Sequence, residues 1–296
     1  MSVSQVGFVM RRIVLVVVAN IASVAFVPLA LADDRTPSLS PSTSWSGFYA
    51  GFNAGYVWQD NVKSVGAPSY NNPAMLPNAL AFSSALANLS TYNRSSEGFI
   101  GGGQIGYNRQ IAKAWVAGLE ADIQGFARSK KTAIETVSTP IGQFMNYYVT
   151  DRSASSSVDW LGTLRARLGT LVTPDLLIYG TGGLAYGGVK MSASTNSQDV
   201  TSPQYLLPVT GRFDAKGVRV GWTAGAGLEW MLSSNWSAKF EYLHYDLGKK
   251  SGSYDLMQVC TGILNCPNTN IYAGARATAS ARFSGDIVRV GVNYRF

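Results

Sequence analysis

The last eleven residues of the chain, DIVRVGVNYRF, alternate without a break. Val288, Val290, Val292, Tyr294 and Phe296 fall on one face of an extended strand, and Arg289, Gly291, Asn293 and Arg295 on the other. A period of two marks a strand whose two faces meet different surroundings. Seven earlier stretches carry related patterns. GFYAGFNAGYVW puts Phe48, Ala50, Phe52, Ala54, Tyr56 and Trp58 on one face. GFIGGGQIGYNR sets Phe99, Gly101, Gly103, Ile105 and Tyr107 against Gly102, Gln104, Gly106 and Asn108. WVAGLEADIQGF sets Trp115, Leu119 and Ile123 against Glu120, Asp122 and Gln124, and VDWLGTLRARLGTL sets Trp160, Leu164 and Leu168 against Thr163, Arg165 and Arg167. The fifth, LLIYGTGGLAYGGV, alternates too weakly for its faces to be assigned. VRVGWTAGAGLEWML sets Val218, Val220, Trp222, Leu228 and Trp230 against Arg219, Thr223 and Glu229, and WSAKFEYLHYDL sets Trp236, Phe240 and Tyr242 against Lys239 and Glu241.

The connections alternate in length. IAKA, VTPD and SSN are short turns, while the other four connections are polar segments of roughly 30 residues or more, a length that soluble domains rarely repeat. Short turns at one rim, long loops at the other and an even strand count are the habit of outer-membrane barrels. The expected fold is therefore all-β: an eight-stranded antiparallel transmembrane β-barrel with short periplasmic turns, four long extracellular loops and both termini in the periplasm. Its apolar faces would meet lipid and its polar faces the lumen.

The amino end fits export. Arg11 and Arg12 precede an apolar run, Ile13 to Leu31, that ends in Ala30-Leu31-Ala32 before Asp33 and Asp34. This is the layout of a secretory signal peptide, residues 1–32, cleaved after Ala32. An uncleaved anchor is the rival reading, because the run nearly reaches the ~20 residues a spanning helix needs. Residues 33–45 then form a periplasmic segment and 46–296 the barrel. Met10 offers a second translation start.

Composition agrees with alternation. Hydrophobic residues make up 46% of the chain and charged residues only 14%, where soluble domains carry ~25%. The formal charge of +7 is dispersed, which gives no nucleic-acid footprint but would favour contact with acidic lipopolysaccharide or host polyanions. Ten charged residues fall on inward faces: Glu120, Asp122, Arg165, Arg167, Arg219, Glu229, Lys239, Glu241, Arg289 and Arg295. A small barrel is just wide enough for side chains to fill, and buried charges must be paired, so these ten are expected to plug the lumen as an ion network. A charged conduit for ions is the alternative.

Other candidate chemistry is thin. Gly101-x-Gly103-x-x-Gly106 has the spacing of a dinucleotide loop, but no buried strand precedes it and no helix follows. These glycines are read as strand residues that leave room for large inward partners. His244, the only histidine, lies near Asp246 at the predicted outer rim, where a Ser-His-acid set could act on lipid. Cys260 and Cys266 are expected to form a disulfide in the last long loop rather than a zinc site. Met75, Ala79, Phe82, Leu86 and Leu89 have the spacing of a short amphipathic helix in the first. No cofactor is expected.

WSGFYAGFNAGYVW, GFIGGGQIGYN, VDWLGTLRARLG, LIYGTGGLAYG, AKFEYLHYDLG and VRVGVNYRF resemble the opacity-protein-like outer-membrane β-barrel family, in particular the immunogenic major outer-membrane proteins of alphaproteobacteria, often labelled porin-family proteins. The resemblance spans all eight strands. It implies a surface-exposed, non-enzymatic barrel of the cell outer membrane, linked in some members to envelope integrity, host contact or pore activity. The terminal set Val290, Val292, Tyr294 and Phe296 resembles the signal read by the outer-membrane assembly machinery. The sequence leaves a small-solute porin open as the alternative function, and leaves the oligomeric state open too.

Overall fold

The computed structural model describes residues 44–59, 62–63, 69–70, 96–127, 133–141, 146–199, 209–259 and 270–296. Eight long strands build the wall: β1 (Gly47–Gln59), β4 (Ser96–Gln110), β5 (Trp115–Ala127), β7 (Asn146–Thr173), β8 (Leu176–Asp199), β9 (Val209–Met231), β10 (Trp236–Val259) and β11 (Asn270–Arg295). Three short ones, β2 (Val62–Lys63), β3 (Ser69–Tyr70) and β6 (Ala133–Ile141), pair at one end with β11, β11 and β7. Each long strand is antiparallel to the next, and β1 pairs back to β11 from Tyr49–Arg295 to Gln59–Gly285, which closes the ring. Closure removes the exposed sheet edges that lipid could not satisfy.

The short turns follow β4, β7 and β9, and both ends of the barrel chain emerge at that same rim, where the Phe296 amide donates to the Phe48 carbonyl at 3.1 Å. Trp45, assigned by sequence to the segment before the barrel, is instead buried under it: its indole Nε1 donates to the Pro174 carbonyl at 3.0 Å. The expected signal peptide, the expected pairing of Cys260 with Cys266 and the expected helix at 75–89 fall on positions outside the described residues.

Outward faces near the short-turn rim are apolar and exposed, among them Phe52 at 80%, Leu119, Ile123, Leu164 and Val290. Aromatic rings bracket this band. At the lower edge Phe48 meets Tyr107 at 4.8 Å and Trp236 meets Tyr294 at 5.1 Å; at the upper edge Tyr56 meets Phe99 at 5.3 Å and Trp160 meets Tyr186 at 5.9 Å. Two aromatic girdles around an apolar belt are the lipid-facing surface of an outer-membrane barrel.

The strands do not stop at the upper girdle. β7 runs 28 residues and β11 26, well beyond the ~9–11 that a tilted strand needs to cross. Much of what the sequence suggested as polar loop is strand, and there the alternation is inverted. On β8, outward Leu184 and Tyr186 give way to Lys190, Ser192 and Ser194, while inward Val189, Met191 and Ala193 are buried. Ser192 and Ser194 bond Ser155 and Ser153 across the wall, each at 2.7 Å. Water replaces lipid outside, so the outer face turns polar and the apolar residues move inside. A bulge at Asp159 on β7, between Val158 and Trp160, lets Val158 and Leu161 both point inward as the parity changes.

Candidate functional site

The interior is filled in three layers. Trp45, Val116, Leu177, Tyr179 and Met231 form an apolar floor at the short-turn rim. Val57, Ile100, Leu161, Leu243, Phe283, Ile287 and their neighbours form a larger apolar core that starts at the height of the upper girdle and continues above it. Between them lies a buried charge cluster.

Eight of the ten predicted inward charges meet there: Glu120 and Asp122 from β5, Arg165 and Arg167 from β7, Glu229 from β9, Lys239 and Glu241 from β10, and Arg289 from β11. Three pairs stand directly opposite across neighbouring strands: Glu120 with Arg165, Glu229 with Lys239, and Glu241 with Arg289. Strand register thus places opposite charges side by side before any side chain bends. Arg165 is the hub. It bonds Glu120, reaches Asp122 at 2.8 Å and Glu241 at 2.9 Å, and its Nε donates to Thr163 at 3.0 Å. Arg289 bridges Glu241 at 2.5 Å and Asp122 at 3.0 Å. Lys239 donates to both Glu120 oxygens, at 2.8 and 2.9 Å, and Arg167 holds Glu229 at 2.5 Å.

Four acids face four bases, so the cluster carries no net formal charge. That balance depends on two residues that are absent from it. Arg219 sits above the upper girdle, where it bonds the backbone carbonyls of Leu247 and Lys249. Arg295, the last residue of β11, lies at the floor, its guanidinium 5.5 Å from the Trp45 ring and 3.1 Å from the Met231 sulfur. Both have inward parity, but parity fixes only the face and not the height.

Neutral groups complete the cluster. Tyr49 donates to Glu120 at 2.7 Å, Tyr179 to Glu241 at 3.1 Å and Ser237 to Glu229 at 2.6 Å. Arg167 also stacks 4.0 Å over the Tyr179 ring. Asn53, Gln104 and Asn293 continue the chain of bonds to Glu229. Tyr49 and Asn53 were readable from the parity of β1; Tyr179 lies on the strand whose faces the sequence left unassigned. Gly106 is on the inner face, where a methyl would overlap the Tyr49 ring.

The terminal set Val290, Val292, Tyr294 and Phe296 points outward, exposed on the lipid face. His244 also points outward, in the upper girdle 5.3 Å from the Trp222 ring. Its Nδ1 lies 2.8 Å from Asp286, which also accepts from Tyr242 at 2.7 Å. Asp246, its neighbour in sequence, is bonded instead by Arg282 and by the Gly248 amide. Among the described residues, no group of three or more His, Cys, Asp and Glu side chains is arranged to hold a metal ion.

A closed eight-stranded ring, an apolar belt between aromatic girdles and a polar interior describe a membrane barrel. Residues 18–296 match the outer membrane protein beta-barrel domain. The chain belongs to the outer-membrane β-barrel family. Among relatives of this barrel, the 31 kDa outer-membrane immunogenic protein of Brucella melitensis is 36% identical over 199 residues, 67% of each chain. The 22 kDa outer membrane protein of Rhizobium leguminosarum is 29% identical over 180 residues, 58% of this chain and 65% of that one. The outer membrane protein OprG of Pseudomonas aeruginosa aligns over 85% of this barrel's chain and 96% of its own, with 12% identity and a TM-score of 0.38. The protein is an integral barrel of the Gram-negative outer membrane.

Proposed function

We propose that the protein is a closed structural barrel whose working surface is the outer wall above the lipid belt and the segments joining its long strands. The observation that carries this reading is the neutral cluster of eight buried charges packed between two apolar layers. A charged side chain held by two or three partners is not offered to a passing ion, and the upper apolar core adds a dry layer above it. A relative named for its immunogenicity fits a surface that faces the outside. The reading is non-enzymatic: Asp286 orients His244, but acyl transfer also requires a nucleophile within reach of the base. Outer-membrane lipid and the assembly machinery, through the terminal aromatic set, are its expected partners, with a surface or host ligand for the outer segments.

Conductance of the purified, refolded protein in a planar lipid bilayer tests the reading. The expected result is a folded barrel without channel steps. Reproducible steps that shift when Arg165 or Glu229 is neutralised would make the protein a narrow pore and overturn it.

A further inference from the structure

Fixed charges dictate how the buried amides of the lumen are turned. Glu229, held by Arg167, is a carboxylate that can only accept, so Asn293 gives it the amide nitrogen, at 2.9 Å. The Asn293 carbonyl then accepts from Gln104 Nε2 at 2.5 Å, and the Gln104 carbonyl from Asn53 Nδ2 at 3.0 Å. The chain of amides can run only this way. It ends on the Asn53 carbonyl oxygen, Oδ1, which is buried without a partner. Gln124 is fixed by the same logic: its Nε2 donates to Asp122 at 3.0 Å, and its Oε1 is a second buried carbonyl oxygen without a partner. One donor is also left over. Arg289 commits Nε to Glu241 and Nη2 to Glu241 and Asp122, while Nη1 is buried with no acceptor.

These three atoms belong to one corner of the lumen. Gln124 and Arg289 hold the two oxygens of the same Asp122 carboxylate. Asn53 stands in one row with Gln124, with only Gly102 between them. Arg289 is one inward position higher on the neighbouring strand β11, opposite Gly55. Neither glycine brings a side chain into the corner. Above it the inward residues Val57, Ile100 and Phe126 are part of the apolar core or packed against it. Asn53, Gln124 and Arg289 are 5%, 1% and 1% exposed, so bulk solvent does not reach them.

Valence and charge identify the occupant. Two carbonyl oxygens repel an anion, and the guanidinium repels a metal cation. The corner calls for a small neutral molecule that donates twice and also accepts. We propose that it holds one resident water, which donates to Asn53 Oδ1 and Gln124 Oε1 and accepts from Arg289 Nη1. About three bonds is the usual complement of a buried water, and leaving three buried polar atoms unmet costs more than immobilising one water. The bridge joins the amide chain to the ion network and leaves the network neutral. The inference rests on the closed-lumen reading and deepens it: the closure includes a trapped solvent molecule at the boundary between the charges and the upper apolar core.

The test is solid-state NMR of the refolded, isotope-labelled protein in lipid bilayers, read as transfer of magnetisation from water to side-chain nitrogens. Arg165, whose Nε, Nη1 and Nη2 all have acceptors, is the internal reference. Arg289 and the side-chain amides of Asn53 and Gln124 should receive water magnetisation several times faster than Arg165. Asn53→Leu with Gln124→Met removes both acceptors and should bring Arg289 down to the Arg165 rate. A heat-modifiable gel shift reports folding of the variant, and the wild-type comparison needs no variant. Slow transfer to Arg289 and Arg165 alike overturns the resident water and leaves the lumen closed. Fast transfer to Arg165, Lys239 and Arg289 alike means a water-filled lumen and overturns the closed reading with it. Fast transfer to Arg289 that persists in the folded double variant also overturns the site.

Discussion

Strand β11 crosses two solvents, and its two halves are mirror images in polarity. Below Asp286 it turns Val288, Val290 and Val292 outward and hides Arg289 and Asn293. Above it, Arg276, Thr278 and Arg282 face out while Ala277, Ala279, Ala281 and Phe283 are buried. The backbone and the pairing partner do not change; the surroundings do. In the lipid belt an apolar exterior has nothing to gain by turning inward, so polar bonds and ion pairs hold the interior together. Above the belt the hydrophobic effect packs the interior. One wall is thus stabilised by two different forces at two heights.

Removing the hub of the lower region should have the largest effect. Arg165→Ala leaves Glu120, Asp122 and Glu241 one cation short in a buried site, a loss of about 3–5 kcal/mol, read from urea unfolding of the refolded protein in lipid vesicles. A loss near zero would show that the cluster fills the lumen without holding it. Next, Leu164→Arg, on the lipid face of β7, should cost about 2–4 kcal/mol in the same assay. In the upper core, Ile287→Val removes one buried methyl and should cost about 0.5–1.5 kcal/mol. Smallest of all, Ser192→Arg, outward on β8 above the belt, should stay within about 0.5 kcal/mol of wild type. If Ser192→Arg cost as much as Leu164→Arg, the belt would extend higher than the aromatic girdles mark.

The lower region was legible because its contrast is large. Valine against arginine on β11, or leucine against arginine on β7, fixes strand, face and direction at once. The upper region was not, because ATASARF and SASSS alternate alanine with serine, residues too similar in hydropathy to show a period. Those stretches looked like loop until pairing with β10 and β8 showed them to be wall. The charge cluster was legible as a set of inward positions, and its partners Tyr49 and Asn53 followed the same parity. Arg219 and Arg295 exposed the limit of that reasoning. Height comes from register, bulges and where a ladder breaks, and none of these is written in the alternation of one strand. His244 shows the same limit: its neighbour in sequence, Asp246, is engaged elsewhere, and its partner comes from the adjacent strand.

The distribution of the cluster along the chain bears on how such a wall enters a bilayer. β5 contributes two negative charges and β7 two positive ones. The remaining four residues sit on β9, β10 and β11, and these too cancel. The interior is therefore divided into two consecutive stretches of chain, each neutral by itself and each joined by neighbouring-strand pairs. A nascent barrel that adds β5 with β7, and β9 through β11 as one unit, never carries a net charge from this cluster into oil, whichever unit goes first.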